Sequence, residues 1–329
     1  MNAAPSTPET EPHAGAFVRR YVWLVPLVVA MVEVLGSATV HSRIPEDGEL
    51  RQAAEFVRAR FRDGDQILSA PGWIEPRVRL ALGDRISLSM AGAVDLDRYT
   101  RVWVVSARGR RAAGVPSRPP ELARSFGHVR VERWDLGPSP VLYDLGENVL
   151  SAEVVLVEHG AERPCPVVDA PVQQGGLGTG PIWPSRRHVC DAARPWLWVA
   201  PTVNEDLDLR LRRCVWQHPN GREPMRATFH DVPLGDRVVL DADIYAEHER
   251  DELRGPFEVR VLVDGRTAGL LVHRDGEGRK RIVASTTTPG GDPHRRGTIA
   301  IETTAADPGL RTVCWSAVVE AGPSREVVP

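Results

Sequence analysis

The chain has 329 residues, with 41 basic against 44 acidic side chains, a net charge of −3 and 42% hydrophobic residues. That is long enough for two domains of ordinary size, and the charge balance excludes a nucleic-acid binder that relies on a strong basic field. Lys280 is the only lysine, so nearly every cation is an arginine fork suited to carboxylate and phosphate partners; a GC-rich coding bias explains the same count.

Residues 1–20 are rich in Ala, Pro, Thr and Glu and read as a disordered cytoplasmic tail. Tyr21–Val40 follows as an apolar run about long enough to cross a hydrocarbon core of roughly 30 Å. Arg19-Arg20 precede it and Glu46, Asp47 and Glu49 follow, so the positive-inside rule holds the N-terminus in the cytoplasm and exports the remainder. Glu33 interrupts the run, and Gly36-Ser37-Ala38 offers small residues where a signal peptidase can cut. The segment therefore reads as a retained single-pass signal-anchor or as a cleaved signal, and its length favours the anchor.

Beyond it, residues 47–136 read as a small α/β domain. Asp47 is placed to cap a helix carrying Leu50, Ala54, Val57 and Phe61 on one face, with Gly64 to end it. Strands are expected at Gln66–Ala70, Arg85–Ser89, Arg101–Ala107 and Val129–Trp134, with helices at Glu75–Leu82 and Pro120–Gly127. The alternation implies a mostly parallel sheet. Residues 137–198 read as an irregular connection, in which one helix or strand pair at Val149–Glu158 is followed by a Pro- and Gly-rich stretch. Their glycine run from Gly175 to Gly180 lacks the strand-to-helix context of a phosphate cradle, because Pro181, Trp183 and Pro184 follow.

Residues 199–321 are β-rich. Phe257, Val259, Val261 and Val263 alternate with polar neighbours, and Asp264-Gly265 and Asp275-Gly276 supply tight turns. Short strands without intervening helices predict an antiparallel sandwich of jelly-roll type. The fold class expected is thus an α/β layer followed by an all-β sandwich, behind one N-terminal transmembrane helix.

No nucleophile or zinc-protease motif is present, and no catalytic residue, metal or cofactor is assigned. Asp95 and Asp97 form a possible acidic site before the Arg101–Ala107 strand, although such acids more often cap a loop. His188-Val189-Cys190 with Cys165 and Cys214 offers soft ligands for zinc, but without a C-x-x-C pair disulfides are preferred. Three pairings are possible. Cys214 and Cys314 sit in predicted strands and suit a staple of the sandwich, leaving Cys165–Cys190 to close the connection at roughly 3 kcal/mol. Among the tryptophans, Trp216 and Trp315 adjoin cysteines and read as packing. Trp196 and Trp198, read as one strand face, and Trp183 are the candidates for stacking on a sugar ring.

The segment from Arg51 to Ser106 (AAEFVRARFRDGDQILSAPGWIEPRVRLALGD…RYTRVWVVSA) resembles the soluble exported segments of multi-span polyprenyl-phosphate-sugar glycosyltransferases. The shared pattern is a helix, a GD-x-I strand opening followed by a proline, and a later R-V-W-V-V strand. The chain lacks the many spans that carry that family's active site, so no catalytic residue transfers. The resemblance implies an envelope context and a glycan-related partner. The β-rich half is similar, in strand count and turn chemistry, to carbohydrate-binding jelly rolls. The function expected is a non-catalytic, membrane-anchored envelope protein that binds a glycan or an envelope protein. The alternatives are an enzyme or enzyme subunit acting on glycans or lipid-linked sugars, and a structural scaffold.

Overall fold

A computed structural model describes residues 24–41, 44–86, 96–112, 114–171, 182–207, 211–250, 254–287 and 295–322. The tail 1–20, Asp95, the end of the strand expected at 85–89 and the glycine run 175–180 lie outside these residues.

Helix α1 (Leu24–His41) is 18 residues long, and its apolar run is broken by Glu33 and gives way to Gly36, Ser37, Thr39 and His41. Among the described residues no helix is long and apolar enough to cross a membrane. This corrects the transmembrane anchor read from Tyr21–Val40. The membrane partner and the single-pass topology rested on that segment and fall with it, and the exported placement of the bulk of the chain loses the anchor as its support. The resemblance of residues 51–106 to segments of multi-span enzymes loses its membrane context for the same reason.

Helix α2 (Asp47–Arg58) is capped by Glu46 rather than Asp47, with the Glu46 N–H donating to Glu49 at 3.1 Å. Asp47 instead pairs with Arg77 at 2.6 Å, tying α2 to α3 (Glu75–Leu82). Leu50, Ala53, Ala54 and Val57 are the buried stripe of α2. They pack with Val78, Trp103, Val105 and Val131 over a four-stranded sheet. Its strands are β1 (Asp65–Ala70), β2 (Arg101–Ala107), β3 (Leu122–Phe126) and β4 (Val129–Asp135), in the order β1-β2-β4-β3. Only β1 and β2 are parallel; β4 runs antiparallel to β2 and β3. The mostly parallel sheet and the helix expected at 120–127 are corrected together, because 122–135 is a hairpin. Its turn uses Gly127 at φ +57, where a Cβ would lie 1.7 Å from the Glu49 carboxylate. Asp65 anchors the layer: it accepts two bonds from Arg101 at 2.6 Å and one from Trp103 Nε1 at 2.9 Å.

The remaining strands form two facing antiparallel sheets. They are β5 (Val141–Asp144), β6 (Glu153–Glu158), β7 (Ala161–Pro164), β8 (Val167–Asp169), β9 (Arg186–Val189), β10 (Trp198–Glu205), β11 (Leu211–Gln217), β12 (Met225–Pro233), β13 (Arg237–Asp243), β14 (Phe257–Val263), β15 (Arg266–His273), β16 (Lys280–Ser285), β17 (Arg296–Ala305) and β18 (Cys314–Glu320). One sheet runs β16-β13-β18-β11-β10-β9-β8, with β5 also on β18; the other runs β15-β14-β17-β12-β6-β7. The stretch 137–198 is therefore no mere connection: β5 to β9 lie within it and extend both sheets. Pro164 closes an edge strand, the place where a missing N–H is tolerated. Between the sheets lie Val199, Val215, Trp315 and Val319 from one side and Phe229, Phe257, Val259 and Ile301 from the other. Asp264 (φ 48) and Gly265 (φ 75) make the tight turn from β14 to β15.

Candidate functional site

The residues singled out in the sequence meet different fates. Cys165 is bonded to Cys190 with Cα atoms 4.2 Å apart, and Cys214 to Cys314 at 5.5 Å, both distances suited to a disulfide or close to it. The second bridge joins β11 to its neighbour β18. His188 is buried and faces the carbonyls of Cys165 at 2.9 Å and Val149 at 3.0 Å. Among the described residues no group of three His, Cys, Asp or Glu side chains is placed to hold a metal ion. Asp97 lies in a short helical turn, Leu96–Arg98, where its carbonyl accepts from Ser139 Oγ at 2.5 Å.

The tryptophans separate sharply. Trp198 is fully buried on the outer face of its sheet, stacked on Trp216 at 5.1 Å and 11° and tilted against Trp183 at 5.9 Å. The Arg187 guanidinium lies 5.6 Å over the Trp183 ring. Trp198 and Trp183 therefore form a covered aromatic cluster with Trp216. Trp196 precedes β10, stands 45% exposed, and has no ring or cation against it among the described residues. Trp73 in the α/β layer is also exposed, but Arg108 lies 5.2 Å over its ring and occupies it by a cation–π contact.

The turn carrying Trp196 is held at many points. Cys190 donates its N–H to Leu197 O at 3.0 Å, Leu197 to Arg194 O at 2.9 Å, and Ala193 to Asp191 Oδ1 at 2.9 Å. Trp216 Nε1 donates to the Trp196 carbonyl at 3.1 Å, and the Cys165–Cys190 bridge fixes the turn's root. Beside Trp196 in sequence, Arg194 bonds Glu158 at 2.6 Å, Asp191 at 2.7 Å and Asn220 Oδ1 at 2.7 Å. Asn220 Nδ2 in turn donates to Glu158 at 2.9 Å, and Arg163 reaches Glu158 at 2.9 Å. The Arg194 hydrogen bond is the chief cause holding the Glu158 carboxyl below its ordinary range. For Asp191 the Ala193 N–H leads, with Arg194 behind it. Both acids stay ionised at neutral pH and present fixed acceptor oxygens.

Away from the Trp196 turn, a cleft of about 390 Å³ lies between the α/β layer and the sandwich. Arg98, Tyr99, Glu147, Arg213, Arg279 and Ser316 are among its walls. Sequence reasoning missed this group and the Arg194 network alike. The one available signal was the arginine excess, which does not say which arginines meet.

No family model matches the chain, and no curated protein matches it. The resemblance of residues 51–106 to glycosyltransferase segments is therefore not sustained. Among solved structures, the chain is similar to the CBM51-2 and INT domains of Clostridium perfringens ZmpB in complex with GlcNAc: 16% identity, 37% of this chain and 25% of that chain, TM-score 0.26. The same domains without that ligand give 12% identity, 51% and 36% coverage, and a TM-score of 0.29. CBM51 from Clostridium perfringens GH95 with methyl-galactose gives 6% identity, 36% and 80% coverage, and a TM-score of 0.27. Alignments this partial fix neither the fold nor the ligand of this chain.

Proposed function

We propose that the sandwich is a carbohydrate-binding module whose ligand stacks on Trp196. The observation that carries the reading is the bare, 45% exposed indole on a turn restrained by a disulfide and by the Trp216 hydrogen bond. An exposed aromatic ring loses the least entropy on binding when its backbone is already fixed. A pyranose presents one flat face of C–H bonds and a rim of hydroxyls. The C–H face suits an indole, and the rim suits the fixed acceptors of Glu158 and Asp191 and the Asn220 amide. Neutral sugars are favoured, because the arginines of this network are already engaged by its two carboxylates.

The test is an array of neutral oligosaccharides probed with the whole chain and with Trp196→Ala. The reading predicts binding to a pyranose-containing glycan that disappears in the variant while the melting temperature holds. Equal binding by both proteins, or none by either, removes the proposal.

A further inference from the structure

The cleft between the two layers owes its existence to the path of β18. Near its start β18 pairs with β11 (Trp315 opposite Val215), and near its end with β5 (Val318 opposite Asp144). Between those partners the Leu145 N–H donates to Ala317 O at 3.0 Å, and Arg98 and Tyr99 line the cleft together with Ser316 of β18. Four arginines (Arg98, Arg212, Arg213 and Arg279) line it against two carboxylates, Asp144 and Glu147.

Three of these guanidinium groups are braced from behind. Arg98 pairs with Asp144, Arg212 with the buried Asp206 at 2.6 Å, and Arg279 with Asp241 at 2.6 Å. Asp241 also receives Arg281 twice at 2.9 Å, so two cations share one anion there. A guanidinium has five N–H donors, and one carboxylate does not use them all. Arg279 Nε is buried with no acceptor among the described residues, the costly condition for a polar group. Arg213 is exposed and makes no ion pair among the described residues. Among the described residues, Arg279 Nε and the Arg213 guanidinium are thus the donors of this wall that no carboxylate satisfies.

We propose that this cleft binds a small ligand bearing one oxyanion group (carboxylate, sulfate or phosphate) on a hydroxylated frame, with Arg213 and Arg279 donating to the oxyanion. The volume suits a small molecule. Glu147, an exposed carboxylate on the same wall, disfavours a polyanion, while the hydroxyls of Ser316 and Tyr99 suit the frame. This site is separate from the Trp196 turn and does not depend on it.

The experiment is titration calorimetry on the whole chain at low ionic strength, where surface charges are least screened. The probes are glucuronate, glucose 6-phosphate, inorganic sulfate and uncharged glucose. At least one charged probe is expected to bind saturably in the millimolar range or tighter, glucose much more weakly. Which charged probe wins identifies the source of the oxyanion. Arg213→Gln is expected to weaken that probe about tenfold, or roughly 1.4 kcal/mol, with an unchanged melting temperature. Trp196→Ala is expected to leave it intact. The proposal fails if no charged probe binds, if inorganic sulfate binds as well as glucuronate and glucose 6-phosphate, if glucose binds as well as the charged probes, or if Arg213→Gln binds like the parent.

Discussion

Two buried titrating groups pull the stability of the sandwich in opposite directions between pH 7 and pH 5. His218 Nδ1 donates to the Pro219 carbonyl, 2.8 Å away, and its ring lies 5.9 Å from Trp216. Burial pushes its pKa down from 6.5 to about 4, with His248 and Arg311 repelling its charge. Asp243 is the opposite case. Burial raises it from 3.8 to about 7; Arg212 and Arg279 oppose the rise, while Asp206 and Glu249 add to it. A depressed histidine leaves the unfolded chain binding more protons, so its contribution is present above pH 6.5 and is lost as pH falls toward 4. A raised aspartate does the reverse, contributing fully below pH 3.8 and losing that contribution as pH rises through 7. Integrating each between about pH 7 and about pH 5 gives a loss of about 2 kcal/mol from His218 and a gain of about 2 kcal/mol from Asp243. The parent is therefore expected to show a shallow pH profile that conceals two steep ones. Asp243→Asn is expected to lose about 2 kcal/mol more than the parent over this range, and His218→Asn to gain about that much relative to it. The assay is urea unfolding of the oxidised chain at several pH values, where subtracting the parent's profile cancels the other titrating groups. Parallel profiles for Asp243→Asn and the parent would refute the claim that Asp243 takes up its proton in the fold.

Trp196→Ala is expected to change stability by no more than about 0.5 kcal/mol, as for other surface sites, whereas Trp198→Ala removes the ring between Trp183 and Trp216 and should cost roughly 3–5 kcal/mol. Urea midpoints of the two variants make the comparison directly. Replacing Cys214 and Cys314 by alanine releases a bridge across 100 residues of sequence, and the chain-entropy estimate for such a loop is about 4–5 kcal/mol; calorimetric melting reads it. Asp65→Ala strands the Arg101 charge that it neutralises at 2.6 Å inside the α/β layer, and a loss of about 3–5 kcal/mol is expected, checked by loss of hydrogen-exchange protection in β1 and β2.

Legibility in the sequence followed local chemistry. The alternation of Phe257 to Val263 and the Asp264-Gly265 turn write a hairpin directly, because a half-buried strand and a left-handed turn each leave a local mark. The segment Leu122–Phe126 misled: its two apolar ends sit at a spacing a helix also uses, and Gly127, read as a helix end, is the hairpin's left-handed residue. Of strands β5 to β9 only β6 overlaps an expected element, the helix or strand pair at Val149–Glu158; the others are short and include exposed or edge segments such as β7, where burial imposes no clean alternation. In α1 the charge of Glu33 and the small, polar residues from Gly36 to Thr39 lower the apolar character that Val22 to Val32 suggests by themselves. For the candidate site, parity misled. Trp196 and Trp198 are two apart and would share a strand face, but β10 begins only at Trp198, so one ring is buried and the other stands on the preceding turn. The cleft was beyond local reading altogether, since Arg98, Arg213 and Arg279 meet only through the sheet topology.

Whether a sugar ring stacks on Trp196 is read from the indole Nε1–H resonances of the whole chain as the best array glycan is titrated in. Stacking on Trp196 gives a saturable shift of its signal, assigned by its absence in Trp196→Ala, while the signals of Trp198 and Trp315 stay in place. A glycan that binds without moving the Trp196 signal, or that moves only the buried indoles, would contradict it.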